Sequence, residues 1–459
     1  MMKQIVPAIE SVKKICGEQS IKADAAYREC LHVLHWSVGE GELLYHTLTG
    51  ELLLVSKDEW QHRLRDDEIR LTLIKRRFLV PKDFNELLYA DQVNHLMSLM
   101  QKKSTALRSF TILTTLDCNA RCFYCYELGG ARQVMSEQTA YDTADYICRV
   151  SDGQEISLNW FGGEPLFNVR VIDIITEELR RRGVAYHAKM ISNGYLFDPE
   201  TARRAKELWN LKQVQITLDG TEEIYNKTKA YIYSEGSAYQ RVLNNIGTLL
   251  DQGIKVNIRL NMNVDNAENL SELAQELRQR FPDRPGLNVY VAMLHEYGRQ
   301  RVGTFDDPNA GLEKYRELVE KLTAFGLRRQ QPLSRRTKLN SCMADRDDCV
   351  MILPNGKLGK CEHDCEKDLV GDIYSDTWDE AVQRAWKKKL FDLKCEKCAI
   401  YPQCRRLEKC ATYKDGCVDI LRVIAIENIR QSVLETYERY RNGHAGSQGS
   451  TDENEEELC

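Results

Sequence analysis

The feature that most constrains this chain is a group of three cysteines, Cys118, Cys122 and Cys125, that lie within eight residues. They come directly after an apolar segment, 109–115, whose composition predicts a β-strand, so the loop that leaves this strand carries them. Thiolates are the ligands of iron–sulfur clusters, and a [4Fe–4S] cube has four irons. Three cysteines therefore leave one iron open to a small molecule. No histidine occurs between residues 95 and 187, so no nearby imidazole completes a zinc site of three cysteines and one histidine.

The composition argues against several classes of protein. Hydrophobic residues form 42% of the 459 residues, enough for a large core, yet no apolar run approaches the ~18 residues that a membrane span needs. The first sixteen residues lack the apolar core of a signal peptide, which predicts a cytoplasmic protein. The formal net charge is −5, and the acidic residues after Arg441 account for it, so we expect no nucleic-acid or membrane partner. Sixteen cysteines at metal-ligand spacings indicate a reducing, oxygen-poor setting rather than a secreted disulfide framework.

Strand and helix patterns alternate from residue 109 to about residue 294. The predicted strands are 109–115, 155–161, 187–192, 214–218, 256–261 and 287–294. The predicted helices include 136–150, 170–182, 199–208, 238–252 and 270–280. Six β–α repeats predict an α/β fold with a parallel sheet, either curled as a barrel or opened as a doubly wound sheet. Periodicity alone leaves both arrangements possible.

Polar motifs stand at the ends of several predicted strands, and parallel strands bring such ends to one edge of a sheet. The segment 161–165 (FGGEP) follows the second strand, where glycines either let the backbone approach a ligand closely or form a tight turn. The segment 192–194 (SNG) ends the third strand and 217–220 (TLDG) ends the fourth. In the latter, Asp219 is also suited to cap the next helix. Arg259 lies on the fifth strand, where an unpaired charge is costly to bury, so we expect it to face an anion or a surface salt bridge.

A second group of nine cysteines lies between residues 342 and 417. Asn355 and Gly356 predict a tight hairpin turn between its first members. Nine cysteines in so short a segment far exceed ordinary usage, so free structural thiols explain them poorly. Iron–sulfur clusters and a pair of four-cysteine zinc sites both fit the spacing.

The first 105 residues form a unit of their own. The segment 43–55 predicts a β-hairpin, and Ser56 with Glu59 predicts a capping box that opens a helix. A second helix is predicted over 68–77. Short helices after a hairpin are typical of a plain N-terminal capping domain, or of a winged-helix-like module that binds an extended peptide along a sheet edge. His32 and His35, three residues apart, would share a face if this segment were helical.

The cysteine loop together with the downstream FGGEP segment resembles the radical S-adenosylmethionine (SAM) enzymes. The resemblance implies an incomplete six-stranded, (β/α)6 TIM-type barrel, and a cluster held by Cys118, Cys122 and Cys125. In that family SAM chelates the open iron, and one electron cleaves it to a 5′-deoxyadenosyl radical that takes hydrogen from a substrate. The electron comes from a donor such as flavodoxin or ferredoxin.

The same resemblance assigns the contacts of SAM. Tyr124 is implied to lie near the adenine, and Arg259 is a candidate for the carboxylate. The residues implied to contact the methionine amino group are Gly162, Gly163 and Glu164. Those implied to border the methionine and ribose are Ser192, Asn193, Thr217 and Asp219. Lys229 occupies a position where relatives often have arginine, so the local match there is partial.

The segment 342–417 resembles the SPASM extension of these enzymes, which implies two auxiliary [4Fe–4S] clusters and three clusters in all. One would take Cys342, Cys349, Cys361 and Cys410, and the other Cys395, Cys398, Cys404 and Cys417. Cys404 and Cys410 are separated by five residues where the usual pattern has three, so the last ligand assignments stay open. Cys365 is then spare, or competes with Cys361.

These resemblances predict an enzyme that modifies a ribosomally made precursor peptide, recognised through its leader by the N-terminal unit. The expected product is a crosslink, with a thioether from cysteine sulfur to carbon as the leading candidate over carbon–carbon and ether crosslinks. The alternatives are formylglycine formation, as in sulfatase-maturing enzymes, and a non-catalytic zinc-binding adaptor. The predicted units are 1–105 (leader recognition), 106–300 (barrel), 301–340 (helical bridge), 341–420 (SPASM), 421–442 (closing helix) and 443–459 (disordered acidic tail).

Overall fold

The structure is a computed structural model that describes most of the chain. The described residues are 2–21, 25–100, 106–127, 132–296, 302–334, 342–364, 366–375, 377–401, 404, 407–413 and 416–443. Cys365 and nearly all of the predicted acidic tail lie outside these residues. Among the described residues, no helix combines the length and the apolar character that crossing a membrane requires.

The N-terminal unit is built from short strands and helices. In chain order these are β1 (Lys3–Val6), α1 (Glu10–Cys16), β2 (Tyr27–Glu29), β3 (Val33–Val38), β4 (Gly41–His46), β5 (Glu51–Val55), α2 (Lys57–His62), α3 (Asp67–Lys75), β6 (Leu79–Pro81) and α4 (Glu86–Met100). The order β1-β5-β4-β3 forms an antiparallel sheet, and β2 pairs with β6. The predicted hairpin is β4–β5, and the capping box of Ser56 and Glu59 opens α2, so both predictions are confirmed.

The two N-terminal histidines do not lie on a helix. His35 lies in β3 and His32 directly precedes that strand, so the pair shares no helix face. Their spacing of three fits a helix, but the segment 33–38 (VLHWSV) is also rich in β-branched and aromatic residues, which favour a strand, and its pairing with β4 decides it.

The central part of the chain alternates strands and helices as predicted. Its elements are β7 (Ser109–Thr115), α5 (Glu137–Val150), β8 (Ile156–Gly162), α6 (Val169–Arg181), β9 (Tyr186–Ser192), α7 (Pro199–Glu207), β10 (Leu211–Leu218), α8 (Glu222–Lys229), α9 (Ala238–Asp251), β11 (Lys255–Met262), α10 (Ala267–Arg280) and β12 (Leu287–Met293). The sequence pattern does not predict the short, polar α8.

The order of these strands distinguishes the two arrangements that periodicity leaves open. Strands β7 to β12 pair in parallel with their neighbours in sequence, without a reversal. A doubly wound sheet requires a reversal of strand order, whereas consecutive right-handed crossovers place all helices on one face and curl the sheet. Among the described strands, β12 pairs only with β11, so the barrel is open, and the predicted fold class is confirmed.

The two faces of the barrel differ in chemistry. Residues such as Leu158 and Trp160 on β8 are fully buried in the main core, on the face that the helices cover. The alternate residues on the inner face are largely polar, and Tyr290 on β12 donates a hydrogen bond to Gln215 on β10, 2.5 Å away across β11. Branched apolar side chains fill the interior of an ordinary closed TIM barrel. The polar inner face here is suited to a polar ligand.

The C-terminal part extends the barrel sheet and returns to the N-terminal unit. Its elements are α11 (Pro308–Ala324), β13 (Cys349–Ile352), β14 (Lys357–Gly359), β15 (Gly371–Asp372), α12 (Glu380–Trp386) and α13 (Asp419–Arg441). β13 pairs in parallel with β7, and the predicted turn at Gly356, with φ of 78°, leads into β14. Val433 and Tyr437 on α13 pack against Leu43 and Leu54 of the N-terminal sheet.

Candidate active site

The cysteine loop leaves β7 and is shaped by its own hydrogen bonds. The backbone N–H of Asp117 donates to Thr115 Oγ1 at 2.9 Å, and that of Cys118 donates to Asp117 Oδ1 at 2.9 Å. The N–H of Ala120 points at Cys118 Sγ, 3.3 Å away, a contact that stabilises a thiolate. Burial raises the pKa of Cys118 to about 12 and that of Cys125 to about 11, so a positively charged centre is needed to hold these groups as thiolates.

The end of β8 forms the wall behind this loop. The N–H groups of Gly163 and Glu164 donate to the carbonyls of Thr115 and Asp117, each at 3.0 Å. A Cβ at Gly162 would lie 2.2 Å from the Thr115 oxygen, and one at Gly163 would lie 2.3 Å from the Asp117 oxygen. Both glycines are therefore required for the close approach of the two strand ends.

Glu164 connects this wall to the end of β9. Its carboxylate is fully buried and accepts hydrogen bonds from Ser192 Oγ at 2.9 Å, Asn193 N at 2.8 Å and Leu166 N at 3.1 Å. Burial raises its pKa to about 7, and the hydrogen bonds from these donors, which stabilise the charged form, lower the pKa in part. The structure thus brings together Glu164, Ser192 and Asn193, which the sequence places at separate strand ends.

Asn119 is a site residue that sequence reasoning missed. The side chain of Asn193 donates to Asn119 Oδ1 at 2.7 Å, and lies 3.8 Å from Cys118 Sγ. Asn119 Nδ2 is buried and has no hydrogen-bond partner within the described part of the chain. A buried donor of this kind beside a ligand cysteine fits an acceptor supplied by a bound group. Asparagine inside the cysteine motif is the signal that could have indicated it.

A buried ion pair holds the other side of the loop. Lys229 Nζ lies 3.0 Å from Asp219 Oδ2 and donates to Tyr124 Oη at 2.8 Å. Tyr124 Oη in turn donates to the Asp219 carboxylate at 2.9 Å, and Asn261 Nδ2 lies 3.2 Å from it. Burial opposes the charge on Lys229, yet the carboxylate of Asp219 holds its pKa well above the ordinary value. Asp219 is therefore engaged with the cysteine loop and does not cap α8, whose N-cap is Thr221.

Thr217 and Arg259 lie side by side on β10 and β11 of the inner face. Arg259 forms no ion pair with any residue that the structure describes, and its Nε is buried without a hydrogen-bond partner there. Burial lowers the pKa of His295, and the charges of His363 and Arg259 lower it further. A half-buried guanidinium without an ion-pair partner in the described residues is suited to an anionic group of a ligand.

The end of the cysteine loop faces the C-terminal segment. The rings of Tyr126 and His363 lie 4.4 Å apart between centroids. Next to Tyr126, burial raises the pKa of Glu127 to about 8, and Glu127 Oε1 has no partner among the described side chains. The sequence reasoning does not single out Glu127 or His363, because neither belongs to a spacing motif.

The second cysteine group separates into two places. Cys342, Cys361 and Cys410 pack against the main core, and Cys349 of β13 is buried. Three others, Cys395, Cys398 and Cys404, pack together in another cluster. Cys417 N donates to Asp392 Oδ2 at 3.0 Å, and Asp392 N donates to Cys395 Sγ at 3.4 Å, which ties Cys417 to this second set.

No three histidine, cysteine or acidic side chains converge on a single point in the described ranges, as one metal ion would require. A [4Fe–4S] cube instead spreads its ligands over separate irons, so its thiols lie farther apart. For the cysteines of the loop and of the C-terminal segment, ligation of a cluster is therefore the appropriate comparison, and binding of a single metal ion is not.

Part of the chain matches a known protein family. Residues 112–278 match the radical SAM superfamily. Over 206 residues the chain is 24% identical to the Fe-coproporphyrin III synthase of Methanosarcina barkeri, covering 45% of this chain and 48% of that protein. The chain spans less than half of the length of two curated relatives that it matches, 48% of one and 40% of the other.

Two solved structures share the fold. The structure of native anSMEcpe with bound AdoMet and Cp18Cys peptide has a TM-score of 0.53 at 15% identity, covering 73% of this chain and 99% of that one. Streptococcus suis SuiB bound to precursor peptide SuiA has a TM-score of 0.51 at 13% identity, covering 86% and 96%. At such identities the likeness concerns the fold alone. Residues 112–278 of the chain thus match the radical SAM superfamily, and the chain shares the fold of these two solved structures.

Proposed function

We propose that this protein is a radical SAM peptide maturase that uses three [4Fe–4S] clusters to crosslink a ribosomally made precursor peptide. The observation that carries the proposal is the arrangement of Cys118, Cys122 and Cys125 on one loop, with Glu164 and the orphaned Asn119 amide directly behind it. These residues fit an iron–sulfur cluster with SAM beside it. Together the two cofactors supply one-electron cleavage of SAM and abstraction of hydrogen from the substrate.

The residues of the barrel mouth orient SAM in this proposal. The carbonyls of Gly162 and Gly163, with the carboxylate of Glu164, accept hydrogen bonds from the methionine amino group. Glu164 already accepts three hydrogen bonds, so its remaining acceptor capacity faces the ligand. Thr217 borders the ribose, and Arg259, which lacks a described anion, takes the carboxylate.

Asp219 has a positioning role in this proposal. Because it binds Lys229 and the hydroxyl of Tyr124, its carboxylate fixes the ring of Tyr124 rather than reaching freely toward the ribose. That ring then forms one side of the adenine pocket. The buried ion pair holds the loop between Cys122 and Cys125 in place before the cofactors bind.

The two sets of C-terminal cysteines are assigned to the auxiliary clusters. One set is Cys342, Cys349, Cys361 and Cys410, and the other is Cys395, Cys398, Cys404 and Cys417. The separate packing of the sets and the link through Asp392 support this division. Two four-cysteine zinc sites are the alternative, and iron, sulfide and zinc analysis of anaerobically prepared protein distinguishes them.

The substrate is proposed to be a peptide whose leader binds to the N-terminal unit. β3 lies at one edge of the antiparallel sheet, where an extended peptide could pair as a further strand. The solved SuiB complex with its precursor peptide SuiA spans 86% of this chain, against 73% for anSMEcpe, which favours a maturase with an added N-terminal unit. An electron donor of the flavodoxin or ferredoxin type completes the system.

Two measurements test the proposal. Reconstituted protein with SAM and dithionite is expected to release 5′-deoxyadenosine, and the Cys118→Ala variant is expected to release none. Equal release, or none from either protein, contradicts the radical SAM assignment. With a co-expressed precursor, a thioether removes two hydrogens and leaves a cysteine that iodoacetamide cannot alkylate. Turnover of a sulfatase peptide alone would instead favour formylglycine formation, the second candidate.

A further inference from the structure

A lysine is buried next to the first set of C-terminal cysteines. Lys360 follows β14 and precedes Cys361, and only 1% of its surface is exposed. Its Nζ donates to the carbonyl oxygens of Arg346 at 2.6 Å and Cys349 at 2.7 Å. Within the described ranges it forms no ion pair with a carboxylate. Burying an ammonium group is costly unless an opposite charge lies nearby.

The acidic residues around Lys360 are already paired with other cations. Asp345 lies 3.0 Å from Lys389 Nζ, and Asp347 forms an ion pair with Lys387. Asp348 binds the guanidinium of Arg346 at 2.9 Å. The three acidic side chains of the segment 345–348 are therefore balanced by three cations. The charge of Lys360 lacks a dedicated partner among them.

Lys360 is nevertheless linked to two cysteines. One of its two acceptors is the carbonyl of Cys349, and the next residue in sequence is Cys361. Both cysteines belong to the set that is assigned to one auxiliary cluster, so any role of Lys360 toward that cluster rests on the proposed function. A [4Fe–4S] cube with four thiolates has a net negative charge in either of its usual redox states, and that charge becomes more negative on reduction.

We propose that Lys360 is the internal counter-ion of the auxiliary cluster at Cys342, Cys349, Cys361 and Cys410, and that it raises the reduction potential of this cluster. A buried positive charge stabilises the reduced form more than the oxidised form, because the reduced form carries the extra electron. Solvent screens this interaction little at so buried a position. Lys360 is thus a positioning and tuning residue, and the cluster itself performs the electron transfer.

The second set of cysteines lacks such an arrangement in the described residues. The lysines next to its first members, Lys394 and Lys397, are exposed, and Lys394 pairs with Asp419 at 2.6 Å. Their charges are screened by water and by that carboxylate. The proposal therefore gives the two auxiliary clusters unequal potentials, with the cluster near Lys360 the first to accept an electron.

The test uses the full chain with Cys118, Cys122 and Cys125 all changed to alanine, which removes the signal of the SAM-binding cluster. A redox titration followed by electron paramagnetic resonance measures the remaining clusters, and an added Cys349→Ala change identifies the signal of interest. Three substitutions are then compared. Lys360→Met and Lys360→Gln remove the charge, with glutamine retaining a donor, whereas Lys357→Met removes an exposed charge from the same hairpin.

We expect both Lys360 substitutions to lower the potential of the signal that depends on Cys349, and Lys357→Met to leave it unchanged. Equal potentials in all proteins, or an equal shift with Lys357→Met, overturn the proposal. If both neutral variants lose this cluster while the second cluster and the fold persist, retention in Lys360→Arg supports the charge, and loss in Lys360→Arg overturns it. A parent protein that holds zinc, or no signal that depends on Cys349, instead rejects the auxiliary cluster.

Discussion

The loop at the barrel mouth and the C-terminal cysteine segment supply thiols in different ways. The loop places its three cysteines within eight residues, and strand ends fix it through the backbone contacts of Gly163 and Glu164. The C-terminal segment spreads its cysteines over a hairpin and several short turns. Its sets form only when distant parts of the chain meet, as when Asp392 bonds both Cys395 and Cys417.

This difference predicts how strongly each site responds to single substitutions. The barrel mouth depends on a few buried polar contacts, so single substitutions there should have large effects. The C-terminal segment depends on the docking of neighbouring elements, with each contact contributing less. Substitutions at both sites test this ranking, from the largest expected effect to the smallest.

The largest effect is expected from Lys229→Met. This change leaves the buried carboxylate of Asp219 without its cation, and breaking a buried ion pair in this way costs about 3–5 kcal/mol of unfolding free energy. Urea unfolding of the apoprotein measures it. The double variant Lys229→Met with Asp219→Asn should recover most of the loss, since no unpaired charge remains. Lys227→Met, which changes an exposed lysine on the same helix, is the control, and an equal loss there would refute the interpretation.

The next effect is the pH dependence that Glu164 gives to the apoprotein. Its pKa is about 7 in the folded state and near 4.5 when unfolded, so the folded state binds the extra proton between these values. Stability therefore falls as pH rises through this window, by about 1.4 kcal/mol per pH unit at most, and is constant above it. Glu164→Gln should remove this slope. Parallel stability curves for the two proteins from pH 5 to 8 would exclude the assignment.

How much of this could be predicted from the sequence depends on the distance between partners. The cysteine loop, the glycines after β8 and the six parallel strands follow from local spacing and periodicity, and the structure places them as predicted. The contacts of Tyr124 with Asp219 and Lys229 join residues 95 and 105 positions apart. Local patterns carry no information on such pairs. For the same reason the sequence leaves a helix cap open as a role of Asp219 and does not reveal the burial of Lys360.

A smaller effect is expected from Gly163→Ala. The new Cβ would lie 2.3 Å from the carbonyl oxygen of Asp117. Because that oxygen belongs to the backbone, the whole loop must shift, which costs about 1–3 kcal/mol of unfolding free energy. The shift moves Cys118, so reconstituted iron at this loop should fall as well. Gly247→Ala is the matched control, since its Cβ would have only the Phe281 ring nearby, at 3.9 Å, and alanine favours the helix. Normal stability and iron content in Gly163→Ala would show that the contact between Gly163 and the cysteine loop accommodates a methyl group without cost.

The smallest effect is expected where the N-terminal unit meets the second cysteine set. Tyr401, buried among Cys395 and Cys398, donates a hydrogen bond from its hydroxyl to Asp91 on α4 at 2.8 Å. Because Asp91 is exposed, Tyr401→Phe should cost about 1 kcal/mol, the value of an ordinary hydrogen bond and below the roughly 1.5–3 kcal/mol of a bond to a charged group. Amide hydrogen exchange around Cys398 should rise in parallel, since the docked α4 holds this loop.

The control for this contact is Tyr374→Phe, in the same segment, where the ring is 61% exposed and no change is expected. If Tyr401→Phe instead costs as much as Lys229→Met, the C-terminal segment depends on single buried contacts in the same way as the barrel mouth. The contrast between the two sites would then lie in sequence spacing alone. If it costs nothing, the packing of Leu87 against the cysteines, rather than the hydrogen bond, holds α4 to this loop.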